Sequence, residues 1–158
     1  MIREYRPDDL ETIMDIGNRA WREIYKMFRA CYGDELYGLV VPDERTAKGN
    51  QVKAHCERHP EWVFVCEETG RVVGFVTFTL REDAKIGVIG NNAVDPDCGL
   101  KGIGQQMYGA VFEYLRAHNM IYAKVQTGLD DAHARARRAY ERAGFDISHR
   151  DIEYYMRL

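Results

Sequence analysis

The stretch Val94-Asp95-Pro96-Asp97-Cys98-Gly99-Leu100-Lys101-Gly102-Ile103-Gly104-Gln105 decides how this chain is read. Upstream, Ile86–Val94 reads as a strand that ends at Asp95-Pro96. Downstream, Gly102–Asn119 carries Ile103, Met107, Ala110, Val111, Tyr114 and Leu115 on one side at helical spacing. Between them, Gly99, Gly102 and Gly104 let successive main-chain N–H groups turn toward one point, and the new helix adds the positive end of its dipole. A turn of this kind is either a cradle for an anion such as a pyrophosphate or a tight bend kept for packing. Two common phosphate loops do not fit. A dinucleotide fingerprint starting at Gly102-Ile103-Gly104 needs glycine where Met107 stands, and a P-loop needs Ser or Thr where Gly102 follows Lys101.

Working outward, Trp62–Glu67 and Arg71–Leu80 are Val- and Phe-rich strands around a Glu68-Thr69-Gly70 hairpin turn. Ahead of them, Met1–Tyr5 alternates as a short strand, and Pro7-Asp8-Asp9 has helix-start chemistry. The helix it opens carries Leu10, Ile13, Met14 and Ile16, then the aromatic stripe Trp21, Tyr25, Phe28 and Tyr32, with Gly33 as its stop. Pro42-Asp43-Glu44 opens a second helical stretch that finishes before Pro60. After the central helix come a strand at Ile121–Thr127, a helix at Asp131–Ala143 closed by Gly144, and an alternating final strand at Asp151–Leu158. The expected architecture is one α+β domain over residues 1–158: a mixed, mostly antiparallel central sheet flanked by helices.

Composition sets the outer limits. The 158 residues are 46% hydrophobic and 30% charged, which argues against disorder, fibres and membrane spans. Lys+Arg 22 against Asp+Glu 25 gives a net charge of -3, the wrong balance for a binder that neutralises nucleic-acid phosphates. Cys31, Cys56, Cys66 and Cys98 form no CxxC and no zinc spacing with histidine, so neither a metal site nor a disulfide framework is expected. Met1–Asp9 is charged and lacks the apolar run of a signal peptide, which leaves a cytoplasmic protein away from membranes as the expectation.

With these elements in order, the chain resembles the GNAT superfamily of N-acetyltransferases, whose signature is Arg/Gln-x-x-Gly-x-Gly/Ala between a strand and its helix. Gly99-Leu100-Lys101-Gly102-Ile103-Gly104 matches it, with Gly99 in place of the usual Arg or Gln. About 35 residues on, Tyr140-Glu141-Arg142-Ala143-Gly144-Phe145 is similar to the family's Tyr-x-x-x-Gly-Phe, and Val72-Val73-Gly74-Phe75 matches an earlier strand. The resemblance implies a sheet splayed at a cofactor slot and acetyl-CoA as acyl-donor cosubstrate. Backbone amides of Gly99, Leu100, Lys101, Gly102, Ile103 and Gly104, with Gln105, would hold the pyrophosphate. The pantetheine arm would pair along Asn92, Ala93 and Val94 as an extra strand.

The resemblance also implies the chemistry, attack of a neutral amine on a thioester. Tyr140 stands at the general-acid position, protonated because a phenol titrates near pKa 10, with a packed helix tyrosine as the plain alternative. Asn92 joins it as a catalytic candidate. Val88 occupies the strand position where some members carry a glutamate base. The base is then a water chain ordered by Asn91 and Asn92, or a carboxylate from Glu23, Asp34 or Glu35. His133 stands where the family has an asparagine on the cofactor arm, so the resemblance implies a cofactor-binding role or a base there, with a surface helix histidine as the plain alternative. Arg135, Arg137, Arg138 and Lys124 are phosphate candidates or a solvated face. The partners implied are acetyl-CoA and an amine acceptor, and the final strand is able to pair across a homodimer. A non-catalytic acyl-CoA sensor on the same fold is the competing reading.

Overall fold

The computed structural model describes residues 1–158. Its sheet is a meander with one crossover. Strands β1 (Ile2–Glu4), β2 (Val63–Glu68), β3 (Arg71–Arg81) and β4 (Ile86–Val94) are antiparallel neighbours in that order, and β5 (Tyr122–Lys124) lies parallel to β4. The β2–β3 hairpin turns through Thr69 and Gly70, both at positive φ (50° and 78°), a two-residue turn whose twist matches the flanking strands. The parallel step from β4 to β5 needs a crossover, which α4 (Ile103–Ala117) supplies.

Both faces of the sheet are covered, so β2 and β3 are apolar at consecutive positions rather than alternate ones. On one face α4 packs Met107, Val111 and Leu115 against Phe64, Val76 and Phe78, and Tyr140 of α5 (Ala134–Arg142) closes this layer. On the other, α1 (Leu10–Ala20) and α3 (Ala47–Arg58) pack Ile13, Ile16, Val52 and Cys56 against Val63, Val65 and Phe75. A small third cluster, Tyr25, Tyr37 and Val41, sits along α2 (Arg22–Val40). The stripe Trp21, Tyr25, Phe28 and Tyr32 therefore divides, with Tyr25 buried and the others packed against it as partly covered walls.

Several sequence boundaries move. The first helix breaks at Trp21, and α2 is itself kinked at Gly33, whose φ of 74° and ψ of 163° are non-helical. The helix expected from Pro42 starts at Ala47, and Asp131–His133 is a 3-10 turn leading into α5. The last expected strand does not form. Residues 143–158 carry no strand, and Ile152, Tyr154, Met156 and Leu158 are exposed. Alternation alone offers those side chains no face to bury, and a strand without a ladder partner loses backbone entropy with no hydrogen bonds in return. The segment instead lies back on α2, with Tyr155 against Tyr32 and Arg157 paired with Glu35. No helix is long and apolar enough to cross a membrane.

Candidate active site

The site is built where β4 parts from its neighbours. β5 pairs only with Ile86, Gly87 and Val88, so β4 from Ile89 to Val94 keeps a free edge on that side. On the β3 side the register slips opposite Thr77, because Gly90 and Asn91 together occupy the space of one residue. The bulge shifts the alternation of side chains along β4 by one residue. Gly87 and Ile89 face α4, and so does Asn92, because the extra residue resets the phase. Thr77 Oγ1 donates to the Asn91 carbonyl at 3.1 Å and pins the bulge, and a Cβ on Gly90 would lie 2.7 Å from that hydroxyl. Only glycine fits.

At Asn92 the polar side chains converge. Tyr108 Oη donates to Asn92 Oδ1 at 2.8 Å, and Asn92 Nδ2 donates to Tyr140 Oη at 3.1 Å and to the Gly90 carbonyl at 3.1 Å. Tyr108 and Tyr140 are 4% and 8% exposed, and burial raises both phenols above their ordinary titration range. The relay uses a lone pair of Tyr140 Oη and leaves its proton available. Gln105 Nε2 donates to the Ala139 carbonyl at 2.8 Å, which ties α4 to α5 beside Tyr140. The carboxamide of Gln105 is thus spent on positioning, and its main-chain N–H remains free.

The loop after β4 is held from below. Asp95 N–H donates to the Val73 carbonyl at 2.8 Å, and Arg19 Nη1 bonds Asp95 at 2.6 Å and Asp97 at 2.7 Å. The guanidinium beside it lowers the Asp95 carboxyl below its ordinary range. Gly99 and Gly102 then turn the chain at φ 68° and 81°, a left-handed conformation that side chains resist. Glycine at 99, a departure from the family pattern, is what this turn requires. Every main-chain N–H from Gly99 to Gln105 is without an acceptor in the chain, the last of them because they open α4. Gly99, Leu100, Lys101 and Gly102 are exposed, so the turn lies at the surface, while Ile103 anchors the start of α4 in the core. Such a row, at a helix N-terminus, suits an anion with several oxygens.

Not every expected residue joins this group. Ala93 is buried against α1, and Val94 packs on the α4 side. His133 Nδ1 bonds Asp130 at 2.7 Å with its ring edge on Phe28, while Arg137 ties the Gly128 and Asp130 carbonyls. These contacts brace the loop before α5 and touch none of Asn92, Tyr108 or Tyr140. Arg135, Arg138 and Lys124 are exposed. The acids weighed as bases are held on the surface, with Glu23 on Lys26, Asp34 near Arg29 and Glu35 on Arg157. No three or more of the His, Cys, Asp and Glu side chains group to hold a metal ion. Tyr108, Arg19 and Lys48 were missed by the sequence reading, though Tyr108 shares the α4 face of Val111 and Leu115, and Lys48 keeps four-residue register with Val52 and Cys56.

Residues 21–145 match the acetyltransferase (GNAT) family. The chain belongs to that family. Among curated GNAT-type relatives, a mycothiol acetyltransferase of Acidimicrobium ferrooxidans is 31% identical over 99% of this chain, and the chain spans 46% of that protein. An S-(2-succino)cysteine N-acetyltransferase of Bacillus subtilis is 30% identical over 94% of this chain and 89% of its own length. The fold matches the PaiA N-acetyltransferase of Thermoplasma acidophilum in complex with coenzyme A. That structure has a TM-score of 0.71 and 16% identity, covering 96% of this chain and 92% of that one.

Proposed function

We propose that residues 1–158 form one acetyltransferase domain that moves an acetyl group from acetyl-CoA to a primary amine by direct attack in a ternary complex. The observation that carries this is the row of unpaired amides from Gly99 to Gln105, which follows the free edge of β4 in the chain, the edge that carries Asn92 of the Tyr108–Asn92–Tyr140 relay. When bound, acetyl-CoA supplies a diphosphate and an activated acyl group. The amides and the α4 dipole hold the diphosphate without a basic side chain. The open edge from Asn92 to Val94 receives the extended arm as an added strand, which brings the thioester end toward Tyr140.

The amine has to lose a proton. An alkyl ammonium with pKa near 10.4 costs roughly 4.6 kcal/mol to deprotonate at pH 7. The carboxylates weighed as bases sit in surface ion pairs, so water at Asn91 and Asn92 carries that proton away. The departing thiolate needs a donor, and Tyr140 arrives protonated because burial holds its phenol up. Asn92 aims it by donating to the phenolic oxygen, and Tyr108 fixes which way the Asn92 amide points. The names of the relatives support an amine acceptor, amino-acid conjugates included.

Thiol release from acetyl-CoA over an amine panel tests this reading. Turnover on at least one amine, lowered roughly 10²–10⁴-fold in Tyr140→Phe with coenzyme A affinity retained, is expected. Coenzyme A binding with no turnover on any amine would instead point to an acyl-CoA sensor.

A further inference from the structure

Lys48 has no place in the chemistry described so far, yet it is only 7% exposed. Its stem passes over Gly17 of α1, where a Cβ would lie 3.3 Å from Lys48 Cγ. The neighbouring Gly49 N–H donates to Asn18 Oδ1 at 2.7 Å and locks α3 to α1 at this level. The ammonium thereby reaches the bulge of β4. There it meets only neutral groups: Gln51 Oε1 at 2.6 Å, Asn91 Oδ1 at 2.9 Å and the face of Trp21 at 4.2 Å. No carboxylate of the chain pairs with it. A buried cation without a counter-ion is unfavourable, and burial pushes the Lys48 ammonium down to about 8, leaving it still charged at neutral pH.

We propose that the missing counter-ion is the carboxylate of the acceptor, so that the enzyme acetylates α-amino acids or compounds ending in one. Asn91, which holds Lys48, is the chain neighbour of Asn92, which aims Tyr140. Their side chains leave opposite faces of β4, so a short acceptor that crosses the free edge of that strand sets a carboxylate at Lys48 and an amine toward Tyr140, as an α-amino acid does. A single ammonium balances a single carboxylate and would leave a phosphate half-neutralised. It also repels polyamines. Gln51 is an exposed residue of α3 whose Oε1 accepts one Nζ–H, so its departure frees that N–H for an incoming oxygen.

This inference rests on the acetyltransferase reading, and its test separates the two. Thiol release is measured for L-phenylalanine, S-methyl-L-cysteine and L-glutamate against their α-carboxamides. The acids are expected to exceed the carboxamides by about 10–100-fold in kcat/KM, the size of a hydrogen bond to a charged group. Lys48→Met should bring the acids down to the level of the carboxamides, chiefly by raising KM, while melting no lower than the native protein. Gln51→Ala, at an exposed position, should lower KM for the acids. Calorimetric titration of the coenzyme A complex with the same amino acids reads the site without turnover, and Lys48→Met should abolish that heat. Carboxamides that match the acids in the native protein, or amino-acid binding that survives Lys48→Met, would overturn the assignment of Lys48. Absence of turnover with amino-acid binding still dependent on Lys48 would uphold Lys48 and overturn the catalytic reading instead.

Discussion

Replacing Tyr108 by Phe removes one hydroxyl and nothing else from the core. In the native site that hydroxyl donates to Asn92 Oδ1 at 2.8 Å, and both tyrosine rings are buried, with centroids 5.5 Å apart. Its loss leaves a sheltered amide oxygen without a donor, which costs about 1–3 kcal/mol. The Asn92 amide then keeps only its Nδ2 bonds, to the Gly90 carbonyl and Tyr140 Oη, and its aim at Tyr140 loosens. If the misaligned proton donor forfeits about 1.4 kcal/mol of the barrier, turnover falls about tenfold. The decisive comparison is a double-mutant cycle on kcat at saturating acetyl-CoA, with urea unfolding run alongside. Tyr140→Phe alone removes the donor, so adding Tyr108→Phe to it should change kcat by less than about twofold. The stability loss should persist in both backgrounds. An equal tenfold loss with and without Tyr140 would refute the relay, because Tyr108 would then act independently of the residue it is argued to aim.

Two further outcomes follow from the loop. Gly102→Ala places a side chain at φ 81°, costing about 1–2 kcal/mol, and should weaken coenzyme A binding by roughly 5–30-fold in calorimetry. Arg19→Met removes the clamp on Asp95 and should destabilise the fold by about 2 kcal/mol at pH 7. Because Arg19 depresses the Asp95 carboxyl, its contribution is complete above the ordinary aspartate range and is lost as pH falls through the lowered folded value. The unfolding curves of native and Arg19→Met protein should therefore converge as pH falls below the depressed Asp95 range. A gap that stays constant with pH would assign the effect to packing.

What could be read from the residues alone was local. The strand, glycine turn and helix around Gly99–Gln105 follow from short-range rules, as does the Thr69-Gly70 hairpin, because each needs only its own neighbours. The bulge at Gly90–Asn91 was not legible. It exists because Thr77, on another strand, holds the Asn91 carbonyl. The same holds for Lys48, whose burial depends on a missing side chain at Gly17 and an acceptor on β4. The alternation of Asp151–Leu158 suggested a strand with no regard for whether a ladder edge was within reach. His133 was placed by family position, whereas the structure spends it on Asp130, an interaction that a three-residue spacing at a helix start could have suggested.

The central claim concerns main-chain hydrogens, so the most direct measurement observes them. In a ¹⁵N-labelled sample titrated with coenzyme A, the amide signals of Gly99–Gln105 should move the most and saturate together. Asn92–Val94 should follow along the free edge of β4. Binding that leaves the 99–105 amides in place while shifting signals elsewhere would contradict the account.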